Sequence, residues 1–133
     1  RRADLVITSP PYGGTYDYVA HHARRFPWLG LDPQPLERGE IGARRQLRGK
    51  QAERRWTDQL RAVLDALAAA RSEGALVVLL LGDAQLGKAR IEADAHLRRL
   101  TEDHALSVAA VASQRRPDWT GHHPRDEHLI ALR

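Results

Sequence analysis

Ala75-Leu76-Val77-Val78-Leu79-Leu80-Leu81 is an unbroken apolar run, and it constrains the chain more than any other stretch. Polar alternation disappears from a strand when both its faces are covered, so the run predicts a strand buried within a parallel sheet. It is far too short to cross a bilayer. Parallel neighbours need a crossover, and a helix is predicted just upstream, from Ala52 to Arg71. There Trp56, Leu60, Val63, Leu64 and Leu67 fall on a single stripe. Gly74 stands where such a helix would end in the left-handed region.

Three further strands are predicted. Ala3 to Thr8 is short, β-branched and halted by Pro10-Pro11; Leu106 to Ala112 and Glu127 to Leu132 are the others. A second helix is expected from Ala89 to Asp103, with Ile91, Ala95, Leu97 and Leu100 on its apolar side. Strand, helix, strand, helix, strand implies an α/β fold with right-handed crossovers. The last strand follows the third without a helix, which suits an antiparallel neighbour. The whole chain, residues 1–133, reads as a single domain: three parallel strands plus a final antiparallel one, flanked by helices. Pro27 to Lys50 reads as a long excursion, with a short helix before it at Asp17 to Phe26. Gln114 to Asp126 reads as a polar, basic loop carrying one aromatic residue, and long loops inside a domain are usually functional or mobile.

The chain has no cysteine, which excludes disulfides, zinc ribbons and a thiolate nucleophile. It opens Arg1-Arg2-Ala3-Asp4 and contains no methionine, which suggests a piece of a longer protein. With no signal-peptide pattern and no bilayer-length run, a soluble, cytoplasmic protein without membrane contact is expected. The formal charge is +4, and Lys50 and Lys88 are the only lysines, so nearly all the positive charge is arginine. Arginine's planar fork suits phosphates and base edges. A GC-rich genome would enrich arginine equally well.

Chemistry enters at Ser9-Pro10-Pro11-Tyr12, directly after the first strand. Pro-Pro-Tyr also occurs in ligands of proline-binding modules, but those lie in disordered, proline-rich segments, whereas this one ends a strand. The exocyclic amine of a base is a poor nucleophile because its lone pair is delocalised into the ring. Two acceptors that hold its hydrogens can localise that pair, and the Ser9 hydroxyl and Pro10 carbonyl are candidates. Proline removes competing backbone donors, and Tyr12 offers a face on which an extruded base can stack.

This step resembles the [DNS]-P-P-[YFW] signature of S-adenosylmethionine-dependent amino-methyltransferases of DNA. Tyr16-Asp17-Tyr18, Phe26-Pro27-Trp28-Leu29-Gly30, Glu40-Ile41-Gly42, Gly82-Asp83 and the closing Asp126-Glu127-His128-Leu129-Ile130 are similar to segments of the same family. The resemblance implies part of a Rossmann-like methyltransferase sheet of order 3-2-1-4-5-7-6, of which this chain would supply strands 4, 5, 6 and 7. It also implies Ser9, Pro10, Pro11 and Tyr12 as catalytic residues and S-adenosyl-L-methionine as cofactor. The family's glycine-rich cofactor turn does not occur here, so the remaining half of the domain is expected as a partner, and the isolated chain is expected to be inactive.

Three weaker features accompany the motif. Asp83 ends a strand, where it reads either as a contact to substrate or the cofactor's polar end, or as an N-cap for a segment beginning near Leu86. Arg115, Arg116, Trp119, His122, His123 and Arg125 interleave charge with an aromatic, as nucleic-acid contacts do. The histidine pairs His21-His22 and His122-His123 lack chelating spacing, so no metal site is expected. The expected activity is methyl transfer to cytosine N4 or adenine N6 in DNA, with RNA guanine N2 and a non-catalytic nucleic-acid-binding scaffold as alternatives. A C5-cytosine enzyme would need the missing cysteine.

Overall fold

The computed structural model describes residues 2–116 and 125–133. In chain order the elements are β1 (Ala3–Thr8), α1 (Tyr18–His22), α2 (Phe26–Leu29), α3 (Gln34–Gly39), α4 (Ala52–Ala70), β2 (Arg71–Gly82), β3 (Ala84–Leu86), β4 (Ala89–Ile91), α5 (Ala93–Leu100), β5 (Val108–Arg116) and β6 (Arg125–Leu132). β1, β2, β6 and β5 form a mixed sheet in that order, and β3 with β4 forms a separate hairpin.

β1 runs parallel to β2, while β6 lies antiparallel to both β2 and β5. β1, β2 and β5 therefore point the same way, but β6 is inserted between β2 and β5, so a single parallel pair is in contact. The sequence expectation of three parallel strands holds for direction and not for adjacency.

The core fills one side of this sheet. Trp56, Leu60 and Leu64 of α4 and Leu97 and Leu100 of α5 pack on Val77, Leu79, Leu81, Ile130 and Leu132. Each fully buried leucine of this set contributes about 1.5–3 kcal/mol over leaving it exposed. Thr57 Oγ1 lies 3.2 Å from His96 Nε2 and ties α4 to α5. Burial, with Arg99 nearby, holds the His96 imidazole below its ordinary pKa and so neutral in this apolar setting.

The other side departs from expectation. Leu5 is 53 % exposed, Ile7 72 %, Leu76 41 % and Leu129 49 %. β2 is thus not buried on both faces: its odd-numbered residues from Val77 to Leu81 are covered, and among the described residues no helix covers the even-numbered ones. An unbroken apolar run records what a strand could bury, and this chain supplies helices to one face only.

Two other expectations are corrected. Gly74 does not close α4, which ends at Ala70 with the Arg71 N–H on the Leu67 carbonyl. Gly74 instead has φ +73° within β2. It sits where the β1–β2 register slips, Ala3 facing Arg71 and Leu5 facing Leu76, a bulge that favours glycine. The helix expected from Ala89 begins only at Ala93, because Ala89–Ile91 pair with Ala84–Leu86.

Candidate active site

β1 and β2 end side by side, and the chain leaves β1 through Ser9 into the buried Pro10. Two prolines without N–H groups cannot extend the ladder, so the backbone turns across the sheet's carboxyl edge. Tyr12 comes to rest flat on Gly82 at the end of β2; a Cβ on that glycine would lie 2.6 Å from the ring's Cδ2. The turn closes through the Gly14 N–H on the Gly42 carbonyl, 2.9 Å, with Gly14 at φ +71° and against the Gln85 carbonyl. Glycine is required there for both reasons.

The phenol of Tyr12 donates to Glu127 Oε1 at 3.2 Å, and Arg116 Nε holds the other oxygen of that carboxylate at 2.8 Å. Burial and the Glu127 charge push the phenol pKa up, and the Ser9 side chain, within hydrogen-bonding reach, offsets part of the rise. Tyr12 is therefore a neutral phenol. Among the described residues no backbone donor takes the Pro10 carbonyl, which leaves it available as an acceptor.

Ser9, Pro10, Pro11, Tyr12, Thr15, Tyr16, Tyr18 and His22 line a pocket of about 420 Å³, in the size range of small-molecule sites. Tyr16 stacks on His21 with centroids 4.1 Å apart and tilts against Tyr18 at 4.6 Å. Asp17 anchors this turn by accepting the Arg45 N–H at 2.8 Å. Arg45 in turn clasps Glu37 and Glu40, which pins α3 beside the site. Of the pocket's aromatic wall, Tyr16 and Tyr18 were legible only as family likeness, and nothing local marked His22 or Thr15.

The basic residues divide. Successive strand residues face opposite sides, and β5 continues to Arg116, so Arg115 and Arg116 do not form one loop patch. Arg116 reaches Glu127, and Arg125 Nη1 donates to Thr15 Oγ1 at 2.7 Å; both border the pocket. Arg115 pairs in register with Asp126 on the opposite side. Trp119, His122 and His123 lie outside the described residues.

Asp83 is 2 % exposed. Its Oδ2 accepts Arg90 Nε and Nη2 at 2.9 and 2.6 Å, and its Oδ1 accepts the Ala93 N–H and faces His128 Nε2, each at 3.0 Å. A carboxylate only accepts, so His128 Nε2 carries the proton and its Nδ1 takes the Ser113 hydroxyl at 2.8 Å. Asp83 thus serves the first N–H of α5, not a segment near Leu86, and all four contacts are internal. Arg90, Ser113 and His128, none of them marked in the sequence, join it in tying β2, β4, β5, β6 and α5 together.

Gly82→Ala tests the Tyr12 seat. The added methyl forces the ring to move, at a cost of about 1–3 kcal/mol; a urea midpoint equal to wild type would show that the ring yields freely. Compared with protein-family models, curated proteins and solved structures, the chain matches none of them.

Proposed function

We propose that this chain carries the catalytic motif of an S-adenosylmethionine-dependent methyltransferase acting on an exocyclic amino group of a base in DNA, cytosine N4 or adenine N6. One observation carries the reading: Ser9 to Tyr12 stand at the carboxyl edge of β1 and wall a base-sized pocket with three tyrosines. Carboxyl edges of parallel strands are where α/β sites form. The order β1-β2-β6-β5 supports a Rossmann-like assignment, since it equals 4-5-7-6 in the family's sheet.

The chain's own residues would act on the amine. The Ser9 hydroxyl and Pro10 carbonyl accept its hydrogens, Tyr12 stacks the ring, and Tyr16 and Tyr18 close the pocket, so orientation is set before transfer. Arg116 and Arg125 beside the pocket suit backbone phosphates. When bound, S-adenosylmethionine supplies an electrophilic methyl carbon on sulfur. The described residues fit the amine side of that donor. They do not fit its nucleoside side, because β2 leaves the edge into a hairpin rather than through a glycine-rich turn into a helix. The outer edge of β1, which has no strand partner among the described residues, and the uncovered face bearing Leu5, Ile7 and Leu76 suit a further half of the domain.

The test is the full-length protein with labelled S-adenosylmethionine and DNA or RNA, with product nucleosides identified by mass spectrometry. N4-methylcytosine or N6-methyladenine in DNA is expected. N2-methylguanine in RNA would move the assignment to that substrate, and no labelled base in either would leave a scaffold. The isolated chain should bind S-adenosylmethionine more weakly than micromolar by calorimetry; tighter binding would reveal a donor site within these residues.

A further inference from the structure

A methylated exocyclic amine must lose a proton, and the pocket wall offers a route for it. Ser9, Tyr12 and Glu127 form a chain of hydroxyl, phenol and carboxylate: the Ser9 side chain lies within hydrogen-bonding reach of the phenol, and the phenol donates to Glu127 Oε1 at 3.2 Å. Glu127 is registered opposite Gly82 on β6, which brings its carboxylate under the phenol of a ring already seated on that glycine. We propose that Glu127 is the terminal proton acceptor for the amine, acting through Tyr12 and Ser9. This rests on the methyltransferase reading.

The step balances. The nitrogen lone pair forms the N–C bond, and the S–C bond of the sulfonium donor breaks with its electrons left on sulfur. The nitrogen's proton passes to Ser9 Oγ as the Ser9 proton passes to Tyr12 Oη and the Tyr12 proton to Glu127 Oε1. The alkylated nitrogen is a strong acid, because losing the proton restores conjugation with the ring, so an ordinary carboxylate suffices. The Glu127 side chain is 23 % exposed and can return the proton to water.

The groups facing this carboxylate are few. Tyr12 reaches it from the turn after β1 and Arg116 from β5, while neutral Gln114 is opposite on β5 and the Gly82 backbone opposite on β2. Asp126 and His128, its neighbours along β6, engage Arg90 and Asp83 on the other face. Arg116 favours the ionised carboxylate, so the relay opens once the pH is above the Glu127 titration.

Glu127→Gln keeps the acceptor oxygen for Tyr12 and cannot take a proton; Tyr12→Phe keeps the stacking ring and breaks the relay. In the full-length protein each should lower single-turnover methyl transfer by on the order of a hundred-fold or more, with nucleic-acid affinity unchanged. Wild type should gain rate with pH through the carboxyl titration, and Glu127→Gln should lose that rise. The double variant should be no slower than either single one, since one path is cut once. Independently of turnover, tyrosine carbon NMR should find the Tyr12 phenol titrating lower in Glu127→Gln than in wild type, Tyr12→Phe assigning the resonance. An unmoved Tyr12 titration, multiplying losses, or a Glu127→Gln variant with wild-type rate and pH profile would overturn the relay alone. A wild-type protein that methylates no nucleic acid would overturn the functional reading and the relay with it.

Discussion

Ser9→Ala is expected to slow single-turnover methyl transfer by about a hundred- to a thousand-fold while leaving nucleic-acid affinity nearly unchanged. Ser9 is exposed at the mouth of the pocket, so removing its hydroxyl creates no core cavity and should not disturb folding. What is lost is an acceptor that acts only as charge develops on the amine, and removing one such contact typically costs about 3–4 kcal/mol of transition-state stabilisation. An interaction absent from the ground state changes kcat and not binding. Tyr12→Ala separates the two. It removes a stacking face worth about 1–3 kcal/mol per base, so binding should weaken along with rate. Rapid-quench methyl transfer beside salt-dependent binding, both on the full-length protein, checks the pair. Wild-type turnover in Ser9→Ala would remove the acceptor role and bring the scaffold reading forward.

How far the chain could be read from its residues follows from which contacts are local. The helix of Ala52–Ala70 was legible because one stripe from Trp56 to Leu67 repeats at the helical period, and its burial against Val77 and Leu79 needs nothing beyond that stripe. The Ser-Pro-Pro-Tyr step was legible because two prolines fix where β1 must stop. The β3–β4 hairpin was not. Ala89 to Ile91 carry helix-compatible residues, and what makes them a strand is Asp83, which takes the Arg90 guanidinium and the Ala93 N–H and so sets where α5 begins. That contact spans a turn and gives no periodic signal. Glu127 was hidden for the same reason. A glutamate on a closing strand looks like surface, and only the antiparallel register that faces it with Gly82 brings it to Tyr12. Arg115 and Arg116 show the opposite failure: adjacent in sequence, they look like one patch, and strand alternation divides them between two faces.

Asp83→Ala should be the most destabilising single change outside the apolar core. Burial alone would push this carboxyl's pKa up, but the Ala93 N–H, the Arg90 guanidinium and His128 together outweigh it and hold it below the ordinary aspartate value. Truncation leaves the His128 Nε2–H and the Ala93 N–H without an acceptor; His128 is 5 % exposed, so no bulk water replaces the carboxylate there. Breaking a buried ionic contact typically costs about 3–5 kcal/mol. The Arg90 side chain is 43 % exposed and can turn to solvent, so the low end, about 3 kcal/mol, is expected. The same geometry dictates the pH dependence. A carboxyl held low in the folded chain takes up its proton at a higher pH once unfolded, so its contribution is complete above the ordinary aspartate value of about 3.9. It is lost as the pH falls through the folded value. The difference in unfolding free energy between wild type and Asp83→Ala, measured in urea, should therefore be constant near neutrality and shrink below about pH 4. A gap that is small at pH 7, or that widens on acidification, would mean that the carboxylate is not the acceptor holding α5, β4 and β6 to the end of β2.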